Sequence, residues 1–299
     1  MTHALVVGGA GFVGSHLVER LLADGVAVDV VDDLSTGSLA NLADARSMAG
    51  TLKIHHLGAA SDEFETLVGM RRPDVVYHLA AVPSRGAGAV ELAGAFAATL
   101  RVVEAARHHG VNKIVAAVPA SVIHGHPASR DLPVKESELR PRGERGVVAR
   151  ATVDLLEVTR DTDAVEFTAL ALGSVYGPRQ RPESGVVAAF VAAARERSAP
   201  QISGDGRQTR DFVYVDDAVD AFVRAGERGS GLVVNVGTGE QTAIRDLWSA
   251  VAGATGLEPV PTAGRRDELI RFAVSPVRAR IHLGWSSWTT LAEGLAQLR

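Results

Sequence analysis

The chain has 299 residues, a net charge of -4 and a pI near 6.2. With 46% hydrophobic and 22% charged residues it is long enough for one large α/β core or two unequal lobes. That charge, with arginines spread rather than clustered, gives no footprint for nucleic acid or an anionic membrane surface. The absence of cysteine excludes disulfides, thiolate metal sites and cysteine nucleophiles.

The chain enters an apolar strand at 4–7 without a basic leader, and no apolar run approaches the roughly 18 residues of a membrane span, so a soluble cytoplasmic protein is expected. The strand runs into Gly8-Gly9-Ala10-Gly11-Phe12-Val13-Gly14 and then a helix over 13–23. Gly8, Gly11 and Gly14 suit a tight turn that brings backbone up to a pyrophosphate at a helix N-terminus. A second strand, 27–31, ends in Asp32-Asp33. An acidic residue there accepts hydrogen bonds from both hydroxyls of an adenosine ribose and repels a 2′-phosphate, which predicts NAD(H) over NADP(H).

Apolar runs at 52–55, 74–79, 113–118 and 164–172 then alternate with helical spacing over 64–70, 89–109 and 146–160. Apolar strands alternating with helices imply a doubly wound parallel sheet covered on both faces. Beyond residue 172 the pattern loosens. The stretches 177–185 and 198–210 read as long glycine-punctuated loops, and 211–236 as a return to the sheet. This predicts a nucleotide-binding lobe at 1–172 and a smaller C-terminal α/β substrate lobe at 173–299.

Several separate motifs along nearly the whole chain carry a family resemblance. They are Gly8–Gly14 with 32–37 (DDLSTG), 74–81 (DVVYHLAA), 175–180 (VYGPRQ), 204–217 (GDGRQTRDFVYVDD), 235–239 (NVGTG) and Leu283-Gly284-Trp285. Together they resemble the extended short-chain dehydrogenase/reductases, in the branch of UDP-glucose 4-epimerases and nucleotide-sugar dehydratases. The resemblance implies a Rossmann-type fold with NAD held by Gly8, Gly11, Phe12, Val13, Gly14, Asp32 and Asp33, and by Leu79, Ala80 and Ala81 beneath the nicotinamide. It also implies a homodimer joined through the helices at 89–109 and 146–160, whose apolar residues include Leu92, Phe96, Leu100, Val103, Val153, Leu155 and Leu156.

The departures fall on the chemistry. The family's catalytic Ser or Thr lies five residues before the glycine of its S-x-x-V-Y-G motif, which here is Ala120 before Gly125. Its Tyr-x-x-x-Lys matches Arg145 to Ala149. Independently of that match, the three tyrosines, Tyr77, Tyr176 and Tyr214, are followed four residues later by Ala81, Gln180 and Ala218, so no Tyr-x-x-x-Lys exists in this chain. The family position for an Asn falls on Ala95, and the Gly-Asp-Leu element that touches the adenine appears as Leu57-Gly58-Ala59, without the carboxylate. In the family the Tyr phenolate, its pKa lowered by the Lys and the cofactor, takes the sugar hydroxyl proton as hydride leaves. Arginine stays protonated and cannot act as that base.

The resemblance places Arg210 and Arg265 on a nucleotide diphosphate, with Ser84 and Ser174 lining the substrate pocket. A guanidinium suits two phosphate oxygens, the alternative for each arginine being a surface or interdomain salt bridge. His124, in the place of the motif tyrosine, is a candidate acid/base or a loop histidine bonded to backbone. Ser121, His126, Arg85, Glu144 and Arg145 are further candidates; Ser121 points away from the site if the chain is extended there. The pairs His55-His56 and His108-His109 lack carboxylates at ligand spacing, so no metal is expected. Three functions stay open: an NAD-holding enzyme on a nucleoside diphosphate sugar or other anionic small molecule, a non-redox lyase or cyclase, and a catalytically silent NAD-binding partner protein.

Overall fold

The structure, a computed structural model, describes residues 1–83, 85–137, 139–163, 165–253, 256–264 and 268–298. In chain order it runs β1 (His3–Val7), α1 (Phe12–Ala23), β2 (Ala27–Asp32), α2 (Ala43–Ser47), β3 (Leu52–His56), α3 (Asp62–Arg71), β4 (Val75–His78), α4 (Ala89–His109), β5 (Lys113–Pro119), α5 (Ala120–Ile123), α6 (Gly143–Asp163) and β6 (Glu166–Leu172). It continues with β7 (Ser174–Tyr176), α7 (Val186–Arg195), β8 (Gln201–Ser203), β9 (Thr209–Arg210), β10 (Phe212–Tyr214), α8 (Val215–Glu227), β11 (Leu232–Val236), β12 (Thr242–Ala243), α9 (Ile244–Ala252), β13 (Val260–Thr262), α10 (Val277–His282) and α11 (Leu291–Ala296).

Seven strands form one parallel sheet in the order β11-β6-β5-β4-β1-β2-β3. The interior strands are largely apolar on both faces because helices cover both, while the edge strand β3 carries Lys53, His55 and His56. Thus Ala4 and Val6 of β1 point into one core cluster, with Leu17, Leu21 and Phe222, while Leu5 and Val7 point into the other, with Phe64, Val102 and Val153. The chain order reverses between β1 and β4, and the carboxyl ends of those strands form the crevice where such sheets bind ligands.

The segment after β6 departs from the expected loops. Residues 198–210 contain β8 and β9, which pair with β13 and β12, and β10 pairs with β7 rather than with the main sheet. These strands are two or three residues long, too short for periodicity to register. The apolar residues of the two helices expected to pair divide between the sheet and the surface. Leu92, Val103, Val153 and Leu156 are buried inside the chain where α4 and α6 cover the sheet, while Leu100 is exposed, together with Val90, Val147 and Val158.

One charge is set into this apolar sandwich. Asp29, fully buried in β2, accepts hydrogen bonds from His55 Nε2 at 2.6 Å, Arg71 Nε at 2.8 Å and His3 Nε2. His55 thus has a carboxylate partner from another strand, and His108 has one from helix α3 in Glu65 at 2.8 Å, which spacing along the chain could not reveal. Among the described residues no cluster of metal-binding side chains forms.

Burial pushes the Asp29 carboxyl up, but the bonds from His55, Arg71 and His3 outweigh it and hold the pKa below the ordinary 3.8. A lowered folded pKa means stability that is present above 3.8 and lost as pH falls through the folded value. We predict that Asp29→Asn costs about 3 kcal/mol in urea unfolding at neutral pH. The gap should narrow below the ordinary carboxylate pKa; a gap independent of pH would contradict this assignment.

Candidate functional site

The crevice begins with the loop between β1 and α1. Gly8 adopts φ of +80°, and a Cβ on Gly14 would lie 2.1 Å from the Gly8 carbonyl oxygen, so the loop folds back on itself as only glycine permits. Helix α1 starts without a side-chain cap and without an acidic residue in its first turn, leaving its leading N–H groups and the positive end of its dipole for an anion. Gly8, Gly11, Phe12, Val13 and Gly14 therefore fit a dinucleotide pyrophosphate.

Asp32 ends β2 beside this loop. One carboxylate oxygen accepts from Ala10 N at 2.8 Å and the other from Leu34 N at 2.9 Å. Burial raises its pKa, against the hydrogen bonds from Leu34 and Ala10. A carboxylate has room for about four hydrogen bonds, so two acceptor positions remain for ribose hydroxyls. Asp33 is exposed and accepts from Ser35 N and Oγ in its own turn, and a Cβ on Gly58 would lie 4.0 Å from the Asp33 Cβ. Leu79 N donates to Val7 O at 3.0 Å, which draws Leu79, Ala80 and Ala81 alongside the glycine loop.

The reaction-centre positions meet across α5 and α6. Ala120 opens the helical turn α5 directly after β5, so the chain is not extended at Ser121 and the alternation argument for its direction fails. Ser121 is half-buried. A Cβ on Gly146 would lie 2.9 Å from Val122 O, and this close approach seats the start of α6 on that turn. Ala120 and Ala149 are both fully buried within one apolar cluster. Arg145, half-buried, donates from Nε to Pro83 O at 2.8 Å, reaching the segment that follows β4. Burial, with the nearby positive charge of Arg85, pulls its pKa below the usual guanidinium value.

His124 is buried at 3% exposure and bonds Asn235 Oδ1 at 2.7 Å. Asn235 Nδ2 donates to Val134 O and Asn235 N to Glu136 Oε1, both at 2.9 Å, so the amide presents oxygen and the His124 Nε2–H donates to it. This histidine ties the end of β5 to β11; it is not bonded to backbone through that nitrogen. His126 and Glu144 are exposed.

On the substrate side, Ser174 N donates to Asp211 O at 2.7 Å at the start of β7. Arg210 is half-buried and donates from Nη1 to Thr209 O and Leu269 O, each at 2.7 Å. Burial lowers its pKa, Glu268 opposes that and Arg85 adds to it. Neither Arg145 nor Arg210 forms a salt bridge among the described residues. Ser84 and Arg265 lie outside the described residues.

Residues 4–237 match the sequence profile of the NAD dependent epimerase/dehydratase family. The chain belongs to this family. Over 98% of its length it is 39% identical to a UDP-glucose 4-epimerase of Mycolicibacterium smegmatis, covering 96% of that protein. The structure of a UDP-glucose 4-epimerase from Thermotoga maritima with UDP-glucose matches it at a TM-score of 0.91 and 32% identity, over 99% of this chain and 97% of that one. The Thermus thermophilus UDP-glucose 4-epimerase complex with NAD matches at 0.89 and 31%, with the same coverage.

Within this member of the epimerase/dehydratase family, three polar residues with structural weight went unassigned in the sequence. Asp211, fully buried, accepts from Thr238 N and Oγ1 at 2.8 and 2.7 Å and from Gly239 N and Val274 N at 3.1 Å. Asp217, also buried, accepts from Trp288 N, Thr289 N and Thr289 Oγ1. Asn235 is the third. The signal available was the acidic residues of RDFVYVDD inside an otherwise apolar run, which forecast buried carboxylates needing partners.

Proposed function

We propose that this chain holds NAD in the crevice at β1 and β4 and takes a nucleotide-linked sugar or another anionic small molecule, without a tyrosine base. In this reading residues 1–172, with 211–236, carry the cofactor and residues 173–299 the substrate. The glycine loop, Asp32 and the relatives solved with NAD and with UDP-glucose support the ligands. When bound, NAD supplies a hydride acceptor. Phe12 and Val13 at the start of α1 would meet its pyrophosphate, and Asp32 and Asp33 its ribose.

The observation that carries the departure is Arg145. At the position the family gives to its tyrosine stands a permanently charged guanidinium bonded to Pro83 O, while Ala149 and Ala120 are closed into apolar packing. No group there exchanges a proton near neutral pH. The joint loss supports a second reading as well, a non-redox lyase or cyclase, or a silent NAD-binding partner.

We also propose a homodimer through α4 and α6. Val90, Leu100, Val147 and Val158 are exposed at 83%, 45%, 66% and 58%, and they lie on two helices already packed side by side. Sedimentation at micromolar concentration should give a dimer, shifted toward monomer by Leu100→Glu with Val147→Glu; a monomeric parent would overturn the proposal.

The functional test is a coupled assay for interconversion of UDP-glucose and UDP-galactose. The parent should fall at least about 10²–10⁴-fold below a rate supported by a positioned acid/base. Restoring Ala120→Ser, Arg145→Tyr and Ala149→Lys together should not rescue it, because Ala95 also departs from the family pattern and a 1 Å misplacement costs about 10²-fold. Robust parental turnover would assign the base to another residue, His124 first. Turnover in the triple variant alone would show a pocket still shaped for these sugars.

A further inference from the structure

Arg145 reaches the segment that carries Arg85, and Arg210 lies on the substrate side within electrostatic range of Arg85. Arg85 lies in the segment between β4 and α4, two residues after the Pro83 carbonyl that Arg145 holds at 2.8 Å. Arg145 comes from the first turn of α6, and Arg210 from β9, anchored at 2.7 Å to the backbone carbonyls of Thr209 and Leu269. Burial, then the charge of Arg85, lowers the pKa of Arg145; burial also lowers that of Arg210, where Glu268 opposes it and Arg85 adds to it.

The manner of anchoring decides what such a group can do. Arg145 and Arg210 are each fixed by backbone carbonyls and not by a carboxylate, so their charge stays uncompensated within 4 Å among the described residues. A guanidinium has five N–H donors; Arg145 uses its Nε–H and Arg210 an Nη1, which leaves a planar face of donors on each. Holding like charges together in a half-buried crevice is unfavourable unless an anion offsets them; Glu268 does so in part for Arg210, and no described acidic group does so for Arg145. A diphosphate near Arg210 would answer one part of this charge. Arg145 sits at the other part, over the segment that follows β4, where a neutral sugar hydroxyl would meet a fixed cation with nothing to neutralise it.

We propose that Arg145, with Arg85 and Arg210, binds a second oxyanion on the substrate, the carboxylate of an acidic sugar, in the place where the family keeps its proton-transfer tyrosine. This rests on the nucleotide-sugar reading above. A carboxylate meets the guanidinium fork with two parallel hydrogen bonds, so Arg145 acts as a binding residue that sets sugar orientation and selects charge.

Calorimetric titration of the protein with NAD present, using UDP, UDP-glucose and UDP-glucuronate, tests it. UDP-glucuronate should bind roughly tenfold more tightly than UDP-glucose. That preference should vanish in Arg145→Ala and persist in part in Arg145→Lys, which keeps the charge without the fork; Arg85→Ala, on a different element, should weaken it as well. Equal binding of the two sugars by the parent overturns the proposal. If no uridine ligand binds, the nucleotide-sugar reading fails and inorganic phosphate becomes the probe. Thermal stabilisation by millimolar phosphate that is lost in Arg145→Ala would keep the arginines as an oxyanion site, and its absence would remove that too.

Discussion

A carboxylate that accepts backbone N–H groups is the contact on which the site's architecture depends. Asp32 joins the end of β2 to the glycine loop through Ala10 N and to its own turn through Leu34 N. A side chain on Gly37 would strike it at 2.7 Å, so the turn after β2 must close over this one group. Remove the carboxylate and the loop loses the acceptor that fixes its distance from the second strand. A buried donor left without an acceptor costs about 1–3 kcal/mol. The same device recurs at Asp211, which holds Thr238, Gly239 and Val274, and at Asp217, which holds Trp288 and Thr289. Apolar packing fixes the sheet and its helices, while buried aspartates fix the irregular segments that surround the crevice.

This division explains how the chemistry could change while the scaffold stayed. Ala120 and Ala149 belong to the apolar cluster on the α4 and α6 face, where small residues pack without straining the fold. Arg145 finds a neutral carbonyl acceptor at Pro83, which satisfies one donor without cancelling its charge. None of the three bears on Asp32, Asp211 or Asp217. The buried aspartates that fix the irregular segments and the positions of Ala120, Arg145 and Ala149 are thus mechanically separate in this chain.

Legibility in the sequence followed the range of the interactions. The parallel sheet and its helices were readable because Val and Ile runs and helical spacing are local, and the glycine loop with Asp32 was readable because it spans a single strand–loop–helix unit. β8, β9, β12 and β13 were not, since each is held by a partner distant in sequence and carries too few residues for a period. Ser121 misled because alternation assumes an extended chain, and the turn after β5 is helical. The Asp29 cluster was invisible for a third reason: it draws His3, His55 and Arg71 from separate elements onto one strand. His124 was noticed as a candidate base, but its bond to Asn235, 111 residues away, could only come from the fold.

The central claim is that the Asp32 cradle binds a dinucleotide and chooses NAD, although the usual acid/base pair is gone. Calorimetric titration of the purified protein with NAD and with NADP tests it most directly. The account predicts that NAD binds the more tightly, because the Asp32 carboxylate accepts ribose hydroxyls and repels a 2′-phosphate. Tighter binding of NADP, or saturation by neither at millimolar concentration, would contradict it.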